Sequence, residues 1–366
     1  MDPEQPKEGG APKIKKHKEL KLIGEGTYGC VFYPGINCKG TIDTPNYVTK
    51  LQKNANSIKN EWAISQRITK LAGYKQFFAP IIKQCRVHIT KEREREEVQK
   101  CRVLKDHTPN DTYVSNKMRY VGDLTLGKYL KNRNTSINEY WRTHKHILKG
   151  LALLSANSII HYDLKENNIM YDEKIDNPII IDFGLSIALN KLNATTYRRA
   201  FFVFDSYDYW CIDITVCSYI FSVIEYGRAR TQKITEPELH TIINTFIYGK
   251  KGDQKHGSFT VSAITSNIAQ FEQRYWDYFR PYVGMTWWHL YEHLVQFSDT
   301  WDNYSVAMIY LFAIDHMHKV HPTKYDTMRR IYAGKYEQYM SVLGDIIYAM
   351  PDERASAKDT IPLIRP

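Results

Sequence analysis

Three features of the 366-residue sequence predict an α+β protein built as a small β-rich lobe followed by a larger helical lobe. Short apolar runs broken by Gly, Asn and Pro fill the chain from Leu20 to about Val121. Helical periodicity takes over after Gly122, and no internal repeat interrupts either part. Hydrophobic residues make up 43% and charged residues 25%, an ordinary globular balance that excludes a wholly disordered chain. Each part is long enough to bury its own core.

The elements follow in order. Residues 1–17 hold three prolines and a Gly-Gly pair and read as a flexible basic tail ending in the Lys13–Lys18 cluster. The first lobe, residues 18–121, carries a five-stranded sheet and one helix, Ser57 to Leu71, where Ile64, Ile68 and Leu71 recur at helical spacing. Two stretches, Pro34 to Pro45 and Thr90 to Thr112, read as inserts between strands. The mixed-sign KEREREEVQK of the second suits a solvated hairpin or short helix. The second lobe, residues 122–349, opens a long helix at the capping box Ser136–Glu139. Ile147, Leu151 and Leu154 line one face of that helix. Ile159-Ile160 and Ile179-Ile180-Ile181 are short strands, and from Ile212 the chain is helical, with Trp276, Trp287, Trp288 and Trp301 expected in the core. Residues 350–366 read as a C-terminal tail.

The polar start has no apolar signal segment, and the best apolar run, Ile214 to Ile224, is half the length of a membrane span. An intracellular, cytoplasmic setting follows, in which the six cysteines are expected as reduced, buried thiols. A zinc site from Cys38, Cys85, His88 and Cys101 is the less common alternative. The net charge of +10 suits acidic or nucleic-acid-associated protein partners, although no specific nucleic-acid motif occurs.

Chemistry concentrates at four places. Gly24-Glu25-Gly26-Thr27-Tyr28-Gly29 is a G-x-G-x-x-G loop whose amides can approach phosphate oxygens. Val31-Phe32-Tyr33 and then Pro34 follow it, so it joins two strands and does not open a helix. In Tyr47-Val48-Thr49-Lys50-Leu51, Val48 and Lys50 share a strand face, apolar for a base and cationic for phosphates. A buried Lys needs a counter-charge, and Glu61 is the only acidic residue between Asp43 and Glu92. His161-Tyr162-Asp163-Leu164-Lys165-Glu166-Asn167-Asn168 and then Asp182-Phe183-Gly184 complete the set. Phosphoryl transfer needs a carboxylate for the hydroxyl proton, oxygen ligands for Mg2+ and a nearby cation. Asp163, then Asn168 with Asp182, and then Lys165 supply these in turn.

Four such motifs in this order resemble the eukaryotic-type Ser/Thr protein kinase superfamily from Gly24 to Gly227. The resemblance implies a two-lobed fold with ATP and Mg2+ near residues 118–124, and catalytic roles for Lys50, Glu61, Asp163, Lys165, Asn168 and Asp182. Met118-Arg119-Tyr120-Val121 looks like the family's gatekeeper and hinge, and Asp123 like a ribose contact. Asp213 resembles the buried helix acid that braces the catalytic-loop backbone. GTYGCVFYPGINC is similar to kinases of large DNA viruses, which would make the virion or infected cell the setting. Lys165 matches the Ser/Thr class and argues against small-molecule phosphotransferases of similar fold. The absence of Ala-Pro-Glu before Asp213 keeps a pseudokinase scaffold as a rival. Tyr162 replaces the Arg that reads a phosphorylated activation segment, so activity without such phosphorylation is expected.

Overall fold

The computed structural model describes residues 19–26, 29–53, 56–105, 112–132, 135–205, 207–248 and 268–364. The expected tail 1–17 and the loop residues Thr27 and Tyr28 lie outside the described residues. The chain opens with β1 (Lys21–Gly26), β2 (Gly29–Tyr33), β3 (Tyr47–Gln52), α1 (Asn56–Ile68), β4 (Ile81–Val87), α2 (Glu92–Gln99) and β5 (Tyr113–Arg119). Next come α3 (Leu126–Lys131), α4 (Ile137–Ser155), β6 (Ile159–Ile160), β7 (Ile169–Asp172), β8 (Asn177–Ile180) and β9 (Ile187–Ala188). The helices α5 (Ala194–Ala200), α6 (Ile212–Tyr219), α7 (Tyr226–Ala229), α8 (Glu236–Tyr248), α9 (Ile268–Phe279) and α10 (Trp287–Leu294) follow. The chain closes with α11 (Trp301–Val320), α12 (Pro322–Ile331), α13 (Ala333–Tyr348) and α14 (Ala357–Thr360). This is the expected α+β order, a small antiparallel sheet followed by helices.

Two compact units result. The first comprises residues 1–54 and 83–120, the second residues 55–82 and 121–366. Helix α1 therefore groups with the helical unit, and the second division falls between Tyr120 and Val121. The reason lies in residues 77–81. Phe77 and Ala79 exchange backbone bonds with Ile180 on β8, and Ser65 of α1 accepts from the Ile81 amide at 3.1 Å.

In the first unit the sheet order is β1-β2-β3-β5-β4. Val31 lies opposite Lys50, Lys50 opposite Asn116, and Val48 opposite Met118, which sets these residues on one face. Cys30 lies opposite Leu51, on the other face with Phe32. There α2 and the residues after it cover the sheet, with Val98, Cys101 and Leu104 buried against Cys30, Phe32 and Leu51. Glu97 accepts from the Leu22 amide at 2.9 Å, and Glu25 from the Arg102 amide at 3.1 Å. The second insert is thus a helix, as its charge pattern allowed, and it serves as the lid of a core.

The cysteines overturn the expectation of reduced thiols. Cys30 is joined to Cys101 and Cys38 to Cys85, while Cys211 and Cys217 are free and buried. The three cysteines weighed for zinc, Cys38, Cys85 and Cys101, are split between two disulfides, so they form no common site. The pairings span 71 and 47 residues, and nothing in local spacing announces them.

The second unit packs around α11, whose Trp301, Tyr304 and Tyr310 are fully buried together with Trp141 and Trp287. Ser136 and Glu139 form the expected capping box of α4. Residues 350–364 are no tail: Arg354, Ala357 and Ile364 are buried, and Asn303 donates to the Ala355 carbonyl and to Thr360 Oγ1.

Candidate active site

The glycine-loop residues Gly24, Glu25, Gly26 and Gly29 run along the β1–β2 hairpin, with Gly26 opposite Gly29. A Cβ on Gly29 would stand 2.2 Å from the Leu51 carbonyl oxygen, so β2 can lie this close to β3 only with glycine there. Val31, Val48, Lys50 and Met118 share the opposite face of this sheet, as their alternation requires. Asn116, beside Lys50, is buried between Gln84 and Gln52 through bonds of 2.8 and 2.6 Å. Tyr120 stacks on Tyr33 with ring centroids 4.1 Å apart. All of these belong to the first unit.

In the second unit, Val121 is buried against Ala79 and Ile179, and Asp123 is exposed. Strand β6 delivers the catalytic-loop motif and β7 leads away from it. Leu164 is fully buried and anchors the loop between Asp163 and Lys165. Lys165 Nζ lies 3.1 and 3.0 Å from the two carboxylate oxygens of Asp163. Asn168 Nδ2 donates to Asp163 Oδ2 at 2.9 Å and to its carbonyl at 2.8 Å. Asp163 therefore sits in a frame set by the two neighbours that share its motif. The Ile181 amide donates to the Asn168 carbonyl at 2.9 Å, which brings the Asp182 turn beside that frame. Asp182 Oδ1 and Glu61 Oε2 lie 3.2 and 3.8 Å from where a Cβ of Gly184 would be. The structure thus gathers Glu61, Asp182 and Gly184 in one place and Asp163, Lys165 and Asn168 in another, with residues 168 and 181 joining them.

Two non-glycine residues here adopt left-handed backbone, Tyr162 (φ 72°) and Asp182 (φ 58°). Such conformations cost about 1–3 kcal/mol and persist where neighbours over-determine them. For Tyr162 those neighbours are visible. Asp302 on α11 accepts from the His161 amide at 2.6 Å and the Tyr162 amide at 2.9 Å. Trp210 Nε1 donates to the Tyr162 carbonyl at 2.9 Å. Burial pushes the Asp302 carboxyl up from its ordinary value, against the pull of the His161 ring and the two amides.

Asp302 corrects the expected role of Asp213. Asp213 instead forms a fully buried ion pair with Arg354 at 2.9 Å and accepts from Trp301 Nε1 at 3.2 Å. It closes the segment that began at Asp182 onto the core. No local pattern announces Asp302, because the two amides it accepts from lie 141 and 140 residues earlier in the chain.

Tyr207 was also missed: its hydroxyl is pushed up by burial and then by the adjacent Asp163 charge, which places it at the candidate base. Beneath the loop, Glu166 accepts from Lys131 Nζ at 2.9 Å and from the Tyr209 hydroxyl. Burial raises the Glu166 carboxyl, yet these partners bring it below its usual range.

Residues 17–248, well over half of the chain, match the protein kinase domain family. A stretch of 83 residues is 34% identical to "Probable serine/threonine-protein kinase fnkB" of Dictyostelium discoideum, covering 22% of this chain and 15% of that protein. Over 79 residues it is 35% identical to the carbon catabolite-derepressing protein kinase of Secale cereale, covering 22% and 15%. Over 51 residues it is 39% identical to mitogen-activated protein kinase kinase kinase 8 of Rattus norvegicus, covering 14% and 10%. The matched stretches thus span about a seventh or less of these relatives' own length. Asp302 and Arg354 lie beyond the family match yet hold its catalytic-loop and segment ends. By the order of its motifs and by this match, the chain belongs to the protein kinase domain family.

Proposed function

We propose that the protein transfers the γ-phosphate of ATP, in the presence of Mg2+, to Ser or Thr hydroxyls of protein substrates. The observation that carries the reading is the frame around Asp163, whose carboxylate is held by Lys165 and Asn168. In this reading Asp163 orients the acceptor hydroxyl and takes its proton as the oxygen–phosphorus bond forms. ADP leaves with the cleaved bond's electron pair. Lys165 offsets charge on the transferring group, and Lys50, with Glu61 as its partner, holds the phosphates.

The donor chemistry fits magnesium. Asn168 spends its Nδ2 on Asp163, which leaves an oxygen to offer alongside the Asp182 carboxylate, as a hard cation requires. The ion, when bound, neutralises phosphate charge. The β1–β2 hairpin with Val31, Val48 and Met118 would take the nucleotide, Tyr120, Val121 and Asp123 its base and ribose edge. The loop's Thr27 and Tyr28 belong to the same proposal.

Ser/Thr preference rests on Lys165 and on the Ser/Thr kinases among the relatives. In this reading the lobes meet at residues 121 and 122, with the second continuing through the buried residues 350–364, and the +10 charge supports acidic or nucleic-acid-associated substrates, an intracellular setting being part of the same proposal. The likeness of GTYGCVFYPGINC to kinases of large DNA viruses belongs to the same reading.

The test incubates the protein with labelled ATP and Mg2+ against basic and acidic proteins and small alcohols, with Asp182→Asn as the blank. Label on Ser or Thr, absent from the blank, is expected. Label only on small alcohols would favour a small-molecule phosphotransferase, and none at all a pseudokinase.

A further inference from the structure

We infer that Asn60 is a positioning residue that ties α1 to the segment following Asp182, fixing the helix that carries Glu61 without any phosphate on that segment. The inference rests on the kinase reading and adds a residue that the motifs do not contain.

Asn60 makes three bonds, and their partners fix its chemistry. Its Nδ2 donates to the Gly184 carbonyl at 3.2 Å and to the Ser186 carbonyl at 3.0 Å. Its Oδ1 accepts from Arg199 Nη2 at 3.1 Å. Carbonyls only accept and a guanidinium only donates, so a side chain here must donate twice and accept once. An amide does this, and neither a carboxylate nor a hydroxyl can.

The three partners lie in successive parts of one segment, at the turn after Asp182, just before β9 and on α5. Ser186 passes the contact on, because its Oγ donates to the His161 carbonyl at 3.1 Å inside the core. One residue thus separates Asn60 from the catalytic loop. Seven residues along the same helix face, Arg67 repeats the pattern, donating to Asn190 Oδ1 at 3.1 Å and to the Asn157 carbonyl at 2.9 Å. Glu61 follows Asn60 directly, and its carboxylate stands near Gly184. Holding Gly184 and Ser186 from residue 60 therefore holds Glu61 and Asp182 in one arrangement.

Two hydroxyl side chains of the segment, Thr196 and Tyr197, are engaged within the fold. Thr196 Oγ1 accepts from the Asn193 amide at 2.7 Å. Tyr197 stacks on Phe221 at 4.6 Å and accepts from the Tyr291 hydroxyl at 3.2 Å. Bonds among groups already in the chain thus do here what an added dianion and an Arg reader would do.

The experiment compares full-length wild type with Asn60→Ala, Asn60→Asp and Arg199→Ala. It reads kcat, the KM for ATP, the unfolding midpoint and amide hydrogen exchange over residues 183–200. Asn60→Ala and Asn60→Asp are expected to lower kcat by about 30-fold while the KM for ATP moves less than about threefold. Exchange over 183–200 should speed up by about tenfold or more, with an unchanged midpoint. Arg199→Ala, at an exposed residue, should shift both in the same direction by about threefold.

Wild-type turnover in Asn60→Asp would overturn the inference, because a carboxylate cannot make the two donated bonds. So would unchanged exchange in Asn60→Ala, or a loss of kcat matched by a fall in midpoint. If the wild type itself transfers no phosphate, the kinase reading fails, and the exchange comparison still decides whether Asn60 holds the segment.

Discussion

The two units keep their candidate functional residues in place by different means. The first is a thin sheet with one face carrying Val31, Val48 and Lys50. Its other face is closed by an insert and two disulfides. The second is thick and aromatic, and its two cysteines stay unpaired: burial, then the nearby Asp213, pushes the Cys211 thiol up to about 12. The first unit is the smaller of the two and has less core to bury, and covalent closure offsets the difference. A unit with Trp141, Trp287 and Trp301 fully buried needs no such closure and spends polar contacts on aiming loops.

The largest effect that would break this contrast is expected in the second unit. Arg354→Met leaves Asp213 buried without its cation, and should destabilise that unit by roughly 3–5 kcal/mol. Adding Asp213→Asn should recover part of the loss, since the penalty comes from the orphaned charge. Denaturant unfolding measures both variants, and equal or additive losses would show that the pair is not an electrostatic unit.

Next comes the first unit. Opening the Cys30–Cys101 link, whose partners are 71 residues apart, should cost on the order of 4 kcal/mol by the chain-entropy account. The Cys30→Ser/Cys101→Ser variant should therefore lose hydrogen-exchange protection in β1–β3 and leave α4 and α11 protected. Loss of protection in both units together would erase the contrast.

A pH scan sharpens it further. His144 is wholly buried, stacked on Tyr310 at 4.3 Å with its Nδ1 at 2.8 Å from the Tyr339 hydroxyl. Burial lowers its pKa from 6.5 to about 3. The native state therefore binds the fewer protons, so this stabilisation is complete above 6.5 and drains away as pH falls toward 3. Between pH 6.5 and 5 the second unit should lose about 2 kcal/mol. His146 and His316, also held down by burial, add to the same slope. The lowered carboxyls Glu139 and Glu166 act only below about 4.5. His144→Phe should flatten most of the slope, and an unchanged slope would place the acid-sensitive group elsewhere.

How much of this could be read from the chain depended on how local the interaction was. Asp163, Lys165 and Asn168 meet within six residues, so a motif contains the whole frame. The face shared by Val48 and Lys50 needed only strand alternation. Asp302, Arg354 and the disulfides were out of reach, because each partner lies tens to more than a hundred residues away. Asp213 shows how a resemblance misleads: its place after the segment looks like that of the family's backbone brace until the distant Arg354 is placed. The zinc alternative held three of the four bonded cysteines and left out Cys30, whose partner is 71 residues away.

The smallest effect is expected from phosphatase treatment. Tyr162, buried against Phe201 and Trp210, stands where a phosphate-reading Arg would be, and it cannot pair with a dianion. Enzyme stripped of phosphate, as judged by intact mass, should keep its initial rate within about twofold. A large loss restored by phosphorylating Thr196 would make Arg198 and Arg199 the readers.

The central claim is that Asp163 takes the proton of a protein hydroxyl. Its most direct test is the turnover and ATP affinity of Asp163→Ala, alongside its unfolding midpoint. Turnover is expected to fall by about 10³-fold or more while ATP affinity stays within about threefold and the midpoint is unchanged. A folded Asp163→Ala enzyme that keeps more than about a tenth of wild-type turnover would mean that another group is the base.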